Sequence, residues 1–270
     1  MVRRDAISGN KKINGLLFVQ LPLIDHGYNY IQGNVPYAPA AMAAYIRMRH
    51  PGKAAVDHLP FVIANLCSDR VVADYIVGTK PDLLCFSCYL WNIERHMAIA
   101  EALRGRVPGM KVLMGGPEIQ GDSWALSERR PAVDLFVAGE GEWFFDRLFS
   151  GVDMERYARN ERGNRLIVQP DVEAVDMGLA PEPFTAGELD TMADGSVFME
   201  MTRGCPYRWS YCFYSGKCRG VRERDFTILL AALEKRKRIS LHEIYILSPT
   251  FNGTPDFHSR LRALAAKNSG

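Results

Sequence analysis

Short apolar runs alternate with helical stretches over the first 150 residues, and few topologies tolerate that order. The run GLLFVQLPL (15–23) is brief, apolar and closed by proline, as a buried strand is. APAAMAAYIRMR (38–49) follows with Met42, Tyr45, Ile46 and Arg49 at helical spacing. KAAVDHL reads as a second, weaker strand, and SDRVVADYIVG as a helix capped by Ser68 and stopped by Gly78. DLLCFSCYL (82–90) is a third strand, apolar on both faces, and NIERHMAIAEALRGR a helix that Asn92 can cap. KVLMGGPEI (111–119) is a strand running into a double glycine, and 133–149 a strand, a Gly-Glu-Gly turn and a helix. Strand–helix units in this order predict a parallel sheet covered by helices on both faces.

Ligands of such sheets bind beyond the carboxyl ends of the strands. Those ends carry IDHGYNY, SCYLWN, GGPE and GEGE here. Each glycine pair, taken alone, is also what a tight turn requires. Four decorated ends in register point further, to a bulky ligand approaching the backbone.

No apolar run approaches the ~20 residues of a membrane span. The basic N-terminus leads into the first strand and shows no cleavage site, so a cytoplasmic protein is expected. A net charge of +2 argues for neither nucleic acid nor membrane as a partner. Of six cysteines, Cys67, Cys85 and Cys88 sit among apolar residues and read as core. Cys205, Cys212 and Cys218 sit among Gly, Pro, Arg and Tyr, which is not core composition.

The segments PDLLCFSCYLWNIE, KVLMGGPEI and VDLFVAGEGEWFF resemble the cobalamin-binding domain of B12-dependent radical SAM enzymes. The resemblance covers roughly 14–150 and implies a Rossmann-like five-stranded parallel sheet, with the nucleotide tail of cobalamin between sheet and helices and the corrin across the strand ends. It implies cofactor-binding roles for Ser87 and Tyr89, for Gly115, Gly116, Pro117 and Glu118, and for Gly139, Glu140 and Gly141. The Asp-x-His-x-x-Gly loop of the broader B12 family is absent, since Asp25 and His26 are adjacent. His26 then reads as a solvated loop histidine.

The division expected is 1–150 for this domain, 151–195 for a Pro-, Gly- and charge-rich linker with a small hairpin near RLIVQP, and 196–270 for the start of a radical SAM-like (β/α) barrel. There the resembled enzymes hold a 4Fe-4S cluster on C-x3-C-x2-C, and the open iron chelates S-adenosyl-L-methionine. Arg203-Gly204-Cys205-Pro206-Tyr207 and Ser210-Tyr211-Cys212-Phe213 match that pattern, but Trp209 stands in the middle ligand position. Indole has no lone pair to offer a metal. Three readings stay open: Cys218 substitutes and the metal ligands are Cys205, Cys212 and Cys218; the site is dead; or Trp209 is a point change in an intact loop.

Residues 196–270 supply about two β–α units at roughly 30 residues each. That is fewer than the resembled partial barrel needs, so a second chain completing it is an expected partner. Between 203 and 238 ten basic residues face three acidic ones, with Tyr207, Tyr211 and Tyr214 interleaved. A nucleic-acid face is one reading; arginines around a cofactor site is the preferred one. Two functions follow. One is a cobalamin-dependent radical SAM enzyme, methylating or rearranging an unknown small molecule or peptide and impaired in this chain. The other is a cobalamin carrier, sensor or partner subunit without radical activity.

Overall fold

The computed structural model describes residues 13–23, 35–120, 132–161, 164–192, 194–207, 209–212, 220–235, 242–253 and 256–268. The chain divides into two compact units, Met1–Ala174 and Val175–Gly270.

The first unit is built on β1 (Gly15–Val19), β2 (Ala55–His58), β3 (Leu83–Ser87), β4 (Lys111–Gly115), β5 (Leu135–Ala138), β6 (Ala158–Glu161) and β7 (Asn164–Val168). They lie in the order β2-β1-β3-β4-β5-β7-β6. All neighbours pair in parallel except β6 with β7. The expected five parallel strands are therefore present in the order 2-1-3-4-5, and the sheet is wider. The stretch read as a linker contributes β7 beside β5 and the antiparallel edge strand β6. Leu166 and Ile167 of β7 are buried, so this segment covers what would otherwise be an open edge.

Alternation along β1 feeds both faces of the sheet. Leu17 and Val19 join a core with Val72, Ala73 and Ile76 of α3 (Asp69–Thr79) and Met97 and Ala100 of α4 (Ile93–Ala102). Phe18 points the other way, its ring edge-on to Phe145 of α5 (Gly141–Phe149) at 5.3 Å. α5 packs beside α1 (Tyr37–Arg49), closely enough at Gly141 that a Cβ there would lie 2.5 Å from Met42 Sδ and the methionine side chain would have to shift. Phe86, Phe136 and Phe144 are fully buried and contribute about 1.5–3 kcal/mol each. A short helix, α2 (Phe61–Leu66), precedes α3. The stop of α3 is Lys80 in the left-handed region, not Gly78, which lies inside the helix.

Glu173, just beyond β7, ties that strand's exit to α5. It accepts from Trp143 Nε1 at 2.8 Å and from Tyr157 Oη at 3.3 Å, and pairs with Arg147 at 2.6 Å. The Trp143 hydrogen bond first, then Arg147 and Tyr157, hold its carboxyl below the usual range. A depressed folded-state pKa stabilises above the unfolded value and is lost as pH falls through the folded one. Glu173→Gln is thus expected to lower the melting temperature by a few degrees at neutral pH, and the gap to wild type to close on acidification. A gap that stays constant down to about pH 3 in thermal melts would refute the charge-based account.

The second unit pairs β8 (Ser196–Glu200) in parallel with β11 (Glu243–Leu247). β9 (Thr202–Arg203) pairs antiparallel with β10 (Arg222–Glu223). Helices α6 (Phe226–Lys235) and α7 (Phe257–Asn268) follow β10 and β11 in the chain. Val197, Met199 and Met201 form a core with Leu229 and Ala232. Buried Arg224 donates to the carbonyls of Glu200, Met177 and Ala180, tying residues 175–180 to this unit.

Candidate functional site

The order 2-1-3-4-5 has its switch point between β1 and β3, where consecutive connections leave in opposite directions and open a crevice. Their exits hold Gln20–Leu23 and Cys88–Asn92. Leu23, Leu90 and Trp91 are 58%, 79% and 44% exposed, and Tyr89 stacks on Trp91 at 4.7 Å and 12°. This is an apolar, aromatic shelf beside the strand ends. Gln20 is buried; its Nε2 donates to Val35 O at 3.0 Å, and its Oε1 has no partner among the described residues.

Each sequence-derived candidate of the first unit lies at this carboxyl edge. Ser87 pairs in register with Gly115. Gly116, at φ +104°, makes a close approach to the chain itself: a Cβ there would lie 2.7 Å from both Cys88 N and Cys88 O. The Cys88 amide donates to Gly115 O at 2.7 Å, and the Glu118 amide to Cys88 O at 3.2 Å. The exits of β3 and β4 are thereby laced together, with Pro117 exposed above them. In the turn after β5, the Glu140 amide donates to Gln169 Oε1 at 2.6 Å, while Gly139 precedes it and Gly141 opens α5. IDHGYNY, with His26, lies outside the described residues.

Two buried side chains at the crevice gave no functional signal in sequence. Asn92 and His96 are both fully buried. Burial, with Arg95 adding, pulls His96 down to about 3, so its ring is neutral. Burial, and after it Glu118, pushes the Cys88 thiol above its usual range.

In the second unit, Cys205, Tyr207, Trp209, Cys212 and Pro249–Asn252 line a cleft of about 590 Å³. Its loop is pinched at the base by β9–β10 and by Gly204, φ +92°, where a Cβ would overlap the Gly220 carbonyl oxygen. Cys205 Sγ lies 3.2 Å from Thr250 Oγ1, and the Cys212 amide donates to Trp209 O at 3.0 Å. Trp209 is 54% exposed and flanked by the rings of Tyr207 and Tyr211, each 6.0 Å away. Two thiols therefore share one cleft, with an indole where a third sulfur would be needed. Cys218 lies outside the described residues, and among those described no three His, Cys, Asp or Glu side chains gather as a metal site. The described residues do not fit a cluster held by three thiolates. No helix among them is long and apolar enough to cross a membrane.

Residues 41–149 match the family described as the B12 binding domain. The chain is 30% identical over 212 residues to the 2-(S-pantetheinyl)-carbapenam-3-carboxylate methyltransferase of Streptantibioticus cattleyicolor, covering 69% of this chain and 30% of that protein. It is 29% identical over 201 residues to the cobalamin-dependent radical SAM methyltransferase TokK of Streptomyces tokunonensis, covering 68% and 29%. The chain thus spans under a third of these relatives. Its fold matches apo OxsB, a cobalamin-dependent S-adenosylmethionine radical enzyme, with TM-score 0.67 at 16% identity over 95% of this chain and 37% of OxsB. The same score, at 15% identity, holds for OxsB with aqua-cobalamin and S-adenosylmethionine bound.

Proposed function

We propose that this chain, which carries a B12-binding domain and is related to cobalamin-dependent radical SAM methyltransferases, binds cobalamin at the carboxyl edge of its first unit and serves a radical methylation system. The observation carrying this reading is the β1/β3 switch point with its exposed shelf of Leu23, Leu90 and Trp91. A corrin is a broad, largely apolar ring fringed with amides. The shelf offers an apolar seat for it. Ser87, Tyr89, Gly115, Gly116, Pro117, Glu118, Gly139, Glu140 and Gly141 line the same edge and are the proposed contacts. The chemistry a bound corrinoid supplies is methyl transfer from cobalt.

S-adenosylmethionine and a 4Fe-4S cluster belong to this reading only by kinship with the relatives. Trp209 between the two cysteines favours a second reading, a cobalamin-binding carrier or partner subunit without radical chemistry of its own.

The test common to both is titration of the purified chain with hydroxocobalamin. Saturable quenching of tryptophan fluorescence, with a change in the visible corrin bands at one equivalent, is expected. An unchanged spectrum at saturating cobalamin would sink both readings.

A further inference from the structure

Asn92 occupies the N-cap position of α4, yet its side chain makes no cap bond to that helix. It turns instead to the strand exits. Its Nδ2 donates to Leu21 O at 2.9 Å and to Ser87 O at 3.3 Å, and its Oδ1 accepts the Tyr89 amide at 2.7 Å. One turn along α4, His96 Nε2 accepts the Leu21 amide at 3.2 Å. A neutral ring accepting at Nε2 carries its proton on Nδ1, and Nδ1 faces Cys88 Sγ at 3.6 Å. The ring also stacks on Phe86 with centroids 4.7 Å apart.

Both backbone groups of Leu21 thus end on side chains of α4 and its N-cap, and Asn92 holds the exit of β3 as well. The parallel ladder between β1 and β3 stops at Val19 and Phe86. Beyond that pair the two exits diverge into the walls of the crevice, and Asn92 and His96 bridge its floor. Neither is free to act as a ligand group. Both polar ends of Asn92 and both ring nitrogens of His96 are already engaged, and both residues are sealed from solvent.

We infer that Asn92 and His96 are the positioning residues of this crevice: they fix the separation of the β1 and β3 exits, so that the shelf of Tyr89, Leu90 and Trp91 is preformed for a corrinoid. The inference rests on the reading that the crevice takes cobalamin. A preformed wall loses less freedom on binding, and so binds more tightly, than one that must be ordered by the ligand.

The experiment compares wild type with Asn92→Ala, His96→Leu and His96→Gln, each as the full chain. It uses amide hydrogen exchange without ligand and titration with hydroxocobalamin. Asn92→Ala should speed exchange at Tyr89, and His96→Leu at Leu21, by about tenfold or more. Amides of β4 and β5 should keep their protection. Both variants should weaken cobalamin binding by about tenfold or more. His96→Gln, whose Oε1 supplies an acceptor near the lost Nε2, should stay within about threefold of wild type.

The inference is overturned if His96→Leu and Asn92→Ala leave exchange at Leu21 and Tyr89 unchanged, or bind cobalamin as wild type does. It is equally overturned if His96→Gln is as weak as His96→Leu, which would assign the effect to ring packing. If wild type itself binds no cobalamin, the functional reading fails and the proposed role in preforming its site falls with it. The exchange arm then reports separately on whether the two side chains hold the exits.

Discussion

Replacing Trp209 with cysteine is expected to turn a chain that takes up little iron into one that holds about one cluster. The cleft already presents Cys205 and Cys212, and the turn between them is closed by the Cys212 amide on Trp209 O. That bond uses backbone alone, so the substitution leaves it in place. Trp209 is half exposed, and its loss should change stability by no more than about 0.5 kcal/mol. A thiolate there completes the three-sulfur spacing that indole cannot serve. The measurement is iron and acid-labile sulfide per chain after anaerobic reconstitution, with the visible absorbance of the product. Full loading of the wild-type chain would contradict the account and point to a third ligand elsewhere. Loading that then disappears on Cys218→Ala would identify Cys218 as that ligand. Failure of Trp209→Cys to load would mean that the loop needs more than its missing sulfur.

Valine at Gly116 should cost about 3 kcal/mol or more. Two effects add. The backbone sits at φ +104°, where a β-branched residue is strained, and a Cβ would press to 2.7 Å on backbone atoms of Cys88 that cannot rotate away. Gly115→Ala is the control. The nearest atom to a Cβ at Gly115 is Val137 O at 3.6 Å, ordinary contact, and the change should cost about 1 kcal/mol or less. Denaturant unfolding of the ligand-free chain reads both. Equal costs would mean that the lacing of the β3 and β4 exits does not depend on this glycine. A loss seen without ligand assigns Gly116 first to the protein's own framework, and any part in cobalamin binding follows from that framework.

The alternation of β–α units was legible because fully buried parallel strands have to be short and apolar, as LLCFS and LFVA are. The extra width was legible only in part. The hairpin expected near RLIVQP is the antiparallel β6–β7 pair, but nothing in its polar, glycine-bearing stretch says that β7 joins the sheet beside β5. α2 was missed because six residues between Pro60 and Cys67 are too few for helical periodicity to show. The glycines at the strand ends were found by composition, yet composition does not say what crowds them. At Gly116 it is Cys88. Asn92 was found for the wrong reason: it stands where a cap belongs and is spent on Leu21, Ser87 and Tyr89 instead. His96 left no trace, since a histidine one turn into an amphipathic helix looks like any other. The contact between Leu21 and His96, 75 residues apart in the chain, exists only after folding. The cysteine loop was the reverse case. Its resemblance to a C-x3-C-x2-C cluster loop marked both what is present, Cys205 and Cys212, and what is replaced at Trp209.

The unequal burial of the cysteines makes the chain its own chronometer. Cys85 and Cys88 are sealed in the sheet and held protonated, while Cys205 and Cys212 line an open cleft. An alkylating reagent reacts with thiolates, so the cleft is modified at once and the sheet only when it opens. The delay between the two classes measures how rarely the first unit opens. If a corrinoid seats at the switch point, beside Cys88, its arrival lengthens that delay, and occupancy can be followed by mass spectrometry without any turnover.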